Sequence, residues 1–183
     1  MSRIRIVGGQ WRSRLIEVPE STGLRPTPDR VRETLFNWLG QDLTGLRCLD
    51  LFAGSGALGF EAASRGAEEV VMVEASPRVG AHLRQVKSSL QADRVRLVAS
   101  NALAWLDRNI ERFDLVFLDP PFHQGWLDRL APRLESLLEA DARVYVECEH
   151  SVTEWAGLRA VRSGKAGQVH YQLLSRPEPE DTP

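Results

Sequence analysis

The stretch Cys48-Leu49-Asp50-Leu51-Phe52-Ala53-Gly54-Ser55-Gly56-Ala57-Leu58-Gly59 decides the fold. Its first five residues are apolar except for Asp50, which suits a short buried strand. Gly54-Ser55-Gly56 then supplies a tight turn, and the residues from Ala57 keep helical spacing until Arg65-Gly66 stops them. Strand, glycine turn and helix without a gap make the opening unit of an α/β sheet, in which ligands bind beyond the carboxyl ends of the strands.

The same alternation continues downstream. Residues 70–73 form a second buried strand, and Ser76-Pro77 caps and opens a helix with Val79, Leu83, Val86 and Leu90 on its inner face. Residues 95–98 and 113–118 give a third and fourth strand, with a short helix from Ala102 between them. A longer helix then carries Leu127, Leu130, Leu134, Leu137 and Leu138, and residues 144–146 make a fifth strand. This pattern predicts a mostly parallel sheet covered by helices on both faces and joined by right-handed crossovers. Residues 158–162 and 169–174 break the rhythm: two strands joined by Gly164-Lys165-Ala166-Gly167, with no helix between, predict an antiparallel hairpin at the edge.

Upstream, residues 4–7 and 14–18 read as a β-hairpin arm turned by Gly8-Gly9. Thr27 and Pro28 read as the cap and first residue of a helix with Val31, Leu35, Trp38 and Leu39 on its apolar face. The chain thus divides into an arm over residues 1–26, an α/β domain over residues 27–176 and a proline-rich acidic tail over residues 177–183, expected to fray.

Composition sets the outer bounds. A chain of 183 residues, 43% of them apolar and 26% charged, has the means for one globular domain with a sizeable core. No apolar run approaches the roughly 20 residues of a bilayer span, and no hydrophobic signal core follows the first basic residues. A cytoplasmic protein without a membrane partner is expected. Cys48 and Cys148 fall inside strands, without the spacing of a zinc site or redox pair, and read as core thiols; no metal is expected. The net charge of -2 conceals an asymmetry, since residues 1–32 carry seven arginines against Glu17, Glu20 and Asp29. That segment holds about +4 and the remainder about -6. A basic segment on an acidic body suits a polyanion, with Arg12, Arg14, Arg25, Arg30 and Arg32 as contacts. A solvated charged segment fits the charge alone equally well.

Gly54-Ser55-Gly56-Ala57-Leu58-Gly59 fits G-x-G-x-x-G literally, and Glu74 follows its first glycine by 20 residues, as in dinucleotide-binding folds. The glycines let a ligand approach the backbone of Ala53, Gly54, Ser55 and Gly56. The Glu74 carboxylate, with Ala75 beside it, can accept from both hydroxyls of a ribose. NAD and S-adenosylmethionine share these requirements, and Asp50 separates them. A carboxylate at the tip of the first strand suits the cationic, amine-bearing end of a methyl donor and repels a pyrophosphate. Asn101 and Ala102, just after the third strand, lie where an adenine edge would rest; Asn101 as a helix cap fits the same position.

Asp119-Pro120-Pro121-Phe122 closes the fourth strand, and two successive prolines hold the preceding polar groups in fixed directions. An exocyclic nucleobase amine is a poor nucleophile because its lone pair is delocalised into the ring. Hydrogen bonds from its two N–H groups to Asp119 and to the Pro120 carbonyl favour a pyramidal nitrogen whose lone pair faces the sulfonium methyl. This is catalysis by positioning and directed electrostatics. Phe122 offers a face on which an unpaired base can stack. On its own the turn names the reaction and leaves guanine, adenine and cytosine open.

Together these segments resemble the class I amino-methyltransferases. Through Arg5-Ile6-Val7-Gly8-Gly9 and Leu24-Arg25-Pro26-Thr27-Pro28-Asp29-Arg30-Val31-Arg32-Glu33-Thr34-Leu35-Phe36-Asn37-Trp38-Leu39 the chain is similar to the bacterial small-subunit rRNA guanine-N2 methyltransferase D family. The resemblance covers nearly the whole chain and departs at Ser13 and Pro28, where the family favours other small residues. It implies a Rossmann-like sheet of seven strands with the last antiparallel, S-adenosylmethionine as cofactor, and methylation of a guanine N2 in 16S rRNA of the small ribosomal subunit. It also implies that residues 25–37 lie beside the cleft, with Arg32 and Asn37 ordering cofactor or RNA and His123 beside Phe122 touching RNA. A monomer is expected. Competing readings are a DNA adenine or cytosine amino-methyltransferase, a non-catalytic RNA-binding assembly factor and, from the literal glycine match, a dehydrogenase.

Overall fold

The computed structural model describes residues 2–18 and 26–178. The arm is β1 (Ser2–Arg5) and β2 (Leu15–Val18), paired antiparallel in a two-stranded sheet of their own. Then follow α1 (Asp29–Leu39), β3 (Arg47–Asp50), α2 (Ala57–Ser64), β4 (Glu69–Glu74), α3 (Pro77–Leu90), β5 (Val95–Ala99), α4 (Ala102–Leu106), β6 (Phe113–Leu118) and α5 (Trp126–Leu134). A 3-10 turn, Glu135–Leu137, leads into β7 (Leu138–Cys148), and β8 (Glu154–Trp155), β9 (Leu158–Ala166) and β10 (Val169–Ser175) end the order.

The main sheet runs β5-β4-β3-β6-β7-β10-β9-β8, parallel from β5 to β7. β10 is inserted antiparallel between β7 and β9. The expectation of a mostly parallel sheet with a reversed last strand is met, with eight strands in place of seven. The additional one is the two-residue β8, too short to leave a periodic signal in the sequence.

Four local expectations are corrected. Thr27 does not cap α1: Pro28 occupies the cap position without a side-chain cap bond, because the Thr27 hydroxyl donates to Glu147 Oε1 at 2.8 Å. The helical leucine pattern after Trp126 breaks earlier than its spacing suggests. Leu137 closes the 3-10 turn and Leu138 opens β7 opposite Phe113, both facing the core that α5 covers. β7 is therefore far longer than residues 144–146. Gly164 to Ala166 belong to β9, so the hairpin turns around Gly167, at φ +59°.

The sheet buries one core on each face. Under α1, α2 and α3 lie Leu35, Phe36, Phe60, Met72, Leu83, Phe117 and Tyr145; under α4 and α5 lie Leu51, Val71, Val116, Leu130, Leu134 and Val144. The arm is docked to the body. Ile6, Trp11 and Ile16 join the first core, and removing Ile6 alone from water is worth about 2 kcal/mol. The Val7 and Gly8 N–H groups donate to the Glu61 carboxylate at 3.0 and 2.8 Å, and Gln10 N–H donates to the Ser64 carbonyl at 2.7 Å. Gly9 is required there: at φ +75° a Cβ would stand 1.9 Å from the Ser64 carbonyl oxygen. Ile4 and Val18 close over Ala57, which sets the arm above the first turn of α2.

Candidate active site

Side chains alternate across a strand with a period of two. Cys48, Met72, Phe117 and Tyr145 all point into the core under α1 to α3, so the residues two positions on, Asp50, Glu74, Asp119 and Glu147, share that face at the carboxyl rim. Their strands β4, β3, β6 and β7 are consecutive neighbours; Glu74, Asp119 and Glu147 stand level along a row roughly 14 Å long at the usual strand spacing, and Asp50 lies in it two residues deeper, opposite Met72 and Phe117.

At the donor end the loop organises itself. Glu74 accepts from Gly54 N–H at 2.9 Å and from Ser76 N–H at 2.8 Å. Asp50, 1% exposed, accepts from Gly59 N–H at 3.0 Å. Gly56 turns the chain into α2 at φ +83°, where a Cβ would press within 2.6 Å of the Phe60 ring and 2.9 Å of Leu83. Burial pushes the Asp50 carboxyl up to about 7, with the Glu74 and Glu147 charges adding to the rise and the Gly59 N–H opposing it.

The transfer end is different. Asp119 is half-buried and its carboxylate has no hydrogen-bond partner among the described residues. Burial first, then the charges of Glu147 and Asp50, hold its pKa well above the carboxylate range. Pro120 is buried beneath it, Pro121 is exposed and Phe122 is half-buried. On the α5 side of the turn a crevice of about 280 Å³ opens, lined by Pro121, Trp126, Glu149 and Trp155 among others. Glu147 had no place in the sequence reading. Its Oε1 accepts from Thr27 Oγ1 at 2.8 Å and from Tyr145 Oη at 2.9 Å, and burial raises its pKa. The available signal was a glutamate interrupting an apolar strand at the tip next to Asp119.

The remaining expected residues scatter. Ala75 is exposed beside Glu74, and Ala102 is buried at the start of α4. Asn101 accepts from Ala104 N–H at 2.8 Å, which is its capping role, with its side chain at the surface just after Ser100, whose N–H bonds the Glu74 carbonyl. Arg32 is corrected: it is 0% exposed, spanned by Glu61 at 3.0 Å and by Asp29, and donates to the Arg5 carbonyl at 2.8 Å. It locks the arm to α1 and α2 and presents no face to RNA. Asn37 is exposed on α1 and accepts from Gln41 Nε2 at 2.7 Å, away from the carboxylate row. Arg12, Arg14 and Arg30 are exposed; Arg25 lies outside the described residues. His123, exposed at φ +60°, donates its backbone N–H to Glu149 at 3.1 Å.

The donor set fits S-adenosylmethionine. Asp50 and Asp119 are buried or half-buried carboxylates with no cationic side chain among the influences on them, as a sulfonium and an ammonium require. A pyrophosphate would meet the same row as like charge, which disposes of the dehydrogenase reading. Asp50, Glu74 and the amides around Gly54 to Gly56 are the groups that would hold the donor.

Comparisons with known proteins agree. The chain is 45% identical over 179 residues to ribosomal RNA small subunit methyltransferase D of Escherichia coli, covering 95% of this chain and 90% of that protein. It is 42% identical over 180 residues to the protein of the same name from Haemophilus influenzae, covering 92% and 93%. Among solved structures, the Escherichia coli protein yhhF superposes with a TM-score of 0.86 at 45% identity, over 96% of this chain and 98% of that one. A Salinibacter ruber RNA methyltransferase holding S-adenosyl-L-homocysteine shares the fold, with a TM-score of 0.67 at 21% identity over 86% of this chain and 98% of its own. The family described as conserved hypothetical protein 95 matches residues 4–175, and the chain belongs to it: an S-adenosylmethionine-dependent methyltransferase akin to ribosomal RNA small subunit methyltransferase D.

Proposed function

We propose that the protein transfers one methyl group from S-adenosylmethionine to the N2 amine of a guanine in small-subunit (16S) rRNA. The observation that carries the amine chemistry is the unpartnered Asp119 carboxylate ahead of Pro120-Pro121-Phe122, next to the donor loop on the neighbouring strand. The names of the relatives support the RNA.

The donor supplies an electrophilic methyl on a sulfonium. Asp119 and the Pro120 carbonyl accept from the two N–H groups of the amine and turn its lone pair toward that methyl, while Phe122 stacks on the ring. A new N–C bond forms as the S–C bond breaks. The alkylated nitrogen then carries an extra proton, and a carboxylate whose pKa is raised, as that of Asp119 is, accepts it readily. Orienting the amine requires an ionised Asp119, so the rate falls as pH drops through its raised pKa. The exposed arginines Arg12, Arg14 and Arg30 supply phosphate contacts on the arm and α1.

The test is transfer to rRNA from cells lacking the gene, presented as naked rRNA and as small subunits, followed by nucleoside mass spectrometry. N2-methylguanosine at a single position is the expected product. N6-methyladenosine, N4-methylcytidine or no methylated nucleoside would overturn the assignment.

A further inference from the structure

We propose that Glu147 is the specificity residue that selects guanine, by accepting the N1–H that lies beside the amine held by Asp119. The inference rests on the guanine-N2 reading and adds the physical reason for it.

Three nucleobases carry an exocyclic amine, and only one has an N–H next to it. The neighbour of the adenine N6 amine on the pairing edge is N1, and that of the cytosine N4 amine is N3; both are acceptors. The guanine N2 amine is flanked on that edge by N1–H, so guanine alone presents two adjacent donors. A site that reads this edge needs two adjacent acceptors without a donor between them.

The structure supplies them on neighbouring strands. β6 and β7 are parallel, with Phe117 opposite Tyr145 and Leu118 opposite Val146. One step further the same register sets Asp119 opposite Glu147, about 4.8 Å across the sheet and on the same face. Glu147 is 5% exposed, and its Oε1 is occupied by the Thr27 and Tyr145 hydroxyls. Its Oε2 has no partner among the described residues, yet the only fully enclosed side-chain polar atom without one there is His82 Nε2. Oε2 is therefore not enclosed, on the face of the sheet that Glu147 shares with Asp119. Both hydroxyls bond Oε1, which anchors the carboxylate on that side and leaves Oε2 as its unused acceptor. Adenine or cytosine in this place would set a lone pair against that oxygen, an unpaired buried contact of the kind that rejects substrates strongly.

The test compares guanine with 2-aminopurine at the target position of a synthetic rRNA fragment. 2-Aminopurine keeps the N2 amine, replaces N1–H by an acceptor and lacks O6, so the Glu147 variants are needed to assign the part of the difference that belongs to N1. The wild-type protein is expected to methylate guanine at least about tenfold faster, the scale of one lost hydrogen bond to a charged group. Glu147→Gln retains the shape and can turn an N–H₂ outward; Glu147→Leu removes the acceptor in any orientation. Both are expected to lower the guanine to 2-aminopurine ratio toward one, chiefly by slowing guanine, with donor affinity by calorimetry near that of wild type. Thr27→Val, which frees the carboxylate to turn, should narrow the ratio by a smaller factor. An unchanged ratio in both Glu147 variants, equal slowing on the two purines, or a parallel loss of donor affinity would overturn the proposal. If the wild type methylates neither purine at N2, the guanine-N2 reading itself fails.

Discussion

The two halves of the carboxylate row are built on opposite plans. In the donor half, Asp50 and Glu74 spend their acceptors on Gly59, Gly54 and Ser76 amides, and the loop between them holds its own shape. In the transfer half, Asp119 meets no donor among the described residues and Glu147 is steered from behind by Thr27 and Tyr145. A cofactor common to many enzymes can be met by backbone geometry. The particular amine to be methylated must be met by side chains whose acceptors stay open until it arrives. The open half is electrostatically costly before substrate binds, since burial pushes Asp119 and Glu147 toward the neutral form and the Glu147 and Asp50 charges add to the effect on Asp119.

Breaking the open half at its centre gives the largest effect. Asp119→Ala is expected to lower transfer by about 10³-fold or more, the scale for removing a preorganised group at a reacting centre. Donor affinity measured by calorimetry stays near wild type, and the thermal stability of the empty protein holds or rises because an uncompensated carboxylate is gone. Equal loss of donor affinity and rate would erase the distinction between the halves.

The donor half should answer to pH instead. Asp50 has a folded pKa of about 7 against an ordinary 3.8, so the unfolded chain gives up this proton first. Its contribution to stability is therefore greatest below about pH 4, declines as pH rises toward 7 and is flat above. A shift from 3.8 to about 7 sets a ceiling near 4 kcal/mol. Asp50→Asn keeps an oxygen for the Gly59 N–H and is expected to stabilise the empty protein by about 1–2 kcal/mol at pH 8, with no gain at pH 4. Donor affinity moves the other way: in wild type it rises through pH 7 as Asp50 ionises against the cation, and in the variant it is about tenfold weaker and flat. Denaturant melts and calorimetry across pH 4 to 9 distinguish these outcomes.

The donor half was legible in the sequence because its chemistry is local. Asp50, Gly54, Gly56 and Glu74 sit within two consecutive strand-turn-helix units, and their spacing is enough to place them together. Asp119 was legible for the same reason, as the end of an apolar run followed by two prolines. Thr27 and Glu147 were not, since their contact spans 120 positions and Thr27-Pro28 satisfies the local rule for a helix start. Arg32 failed for a related reason: formal charge locates a basic segment but does not tell a phosphate contact from a guanidinium enclosed by Glu61 and Asp29. What the sequence hid in each case is a polar side chain whose partner comes from another element.

That lesson narrows the RNA surface and yields the smallest effect. Of the arginines before α1 and in its first turns, Arg32 is removed from the footprint, whereas Arg12 and Arg14 remain exposed on the arm, whose turn docks at the carboxyl ends of α2 and α3. Arg14 is lightly held, donating to the Ser89 carbonyl at 3.1 Å, which leaves its charge outward. If both touch phosphates, Arg12→Glu with Arg14→Glu should weaken rRNA binding by about tenfold near 0.1 M salt. It should also reduce the slope of log affinity against log salt by about 1.5–2, as expected for two released counterions. Arg108→Glu, which reverses an exposed charge just after α4 on the other face of the sheet from the arm, should leave the slope unchanged. Donor affinity should be untouched by all three substitutions, because among the described residues the arm packs next to the donor loop through Ile4 and Val18 on Ala57, not through these arginines. An equal slope for the arm and the other face would mean that RNA reads the protein's overall charge, and the open half of the row would then have to select its base without an arm to register it.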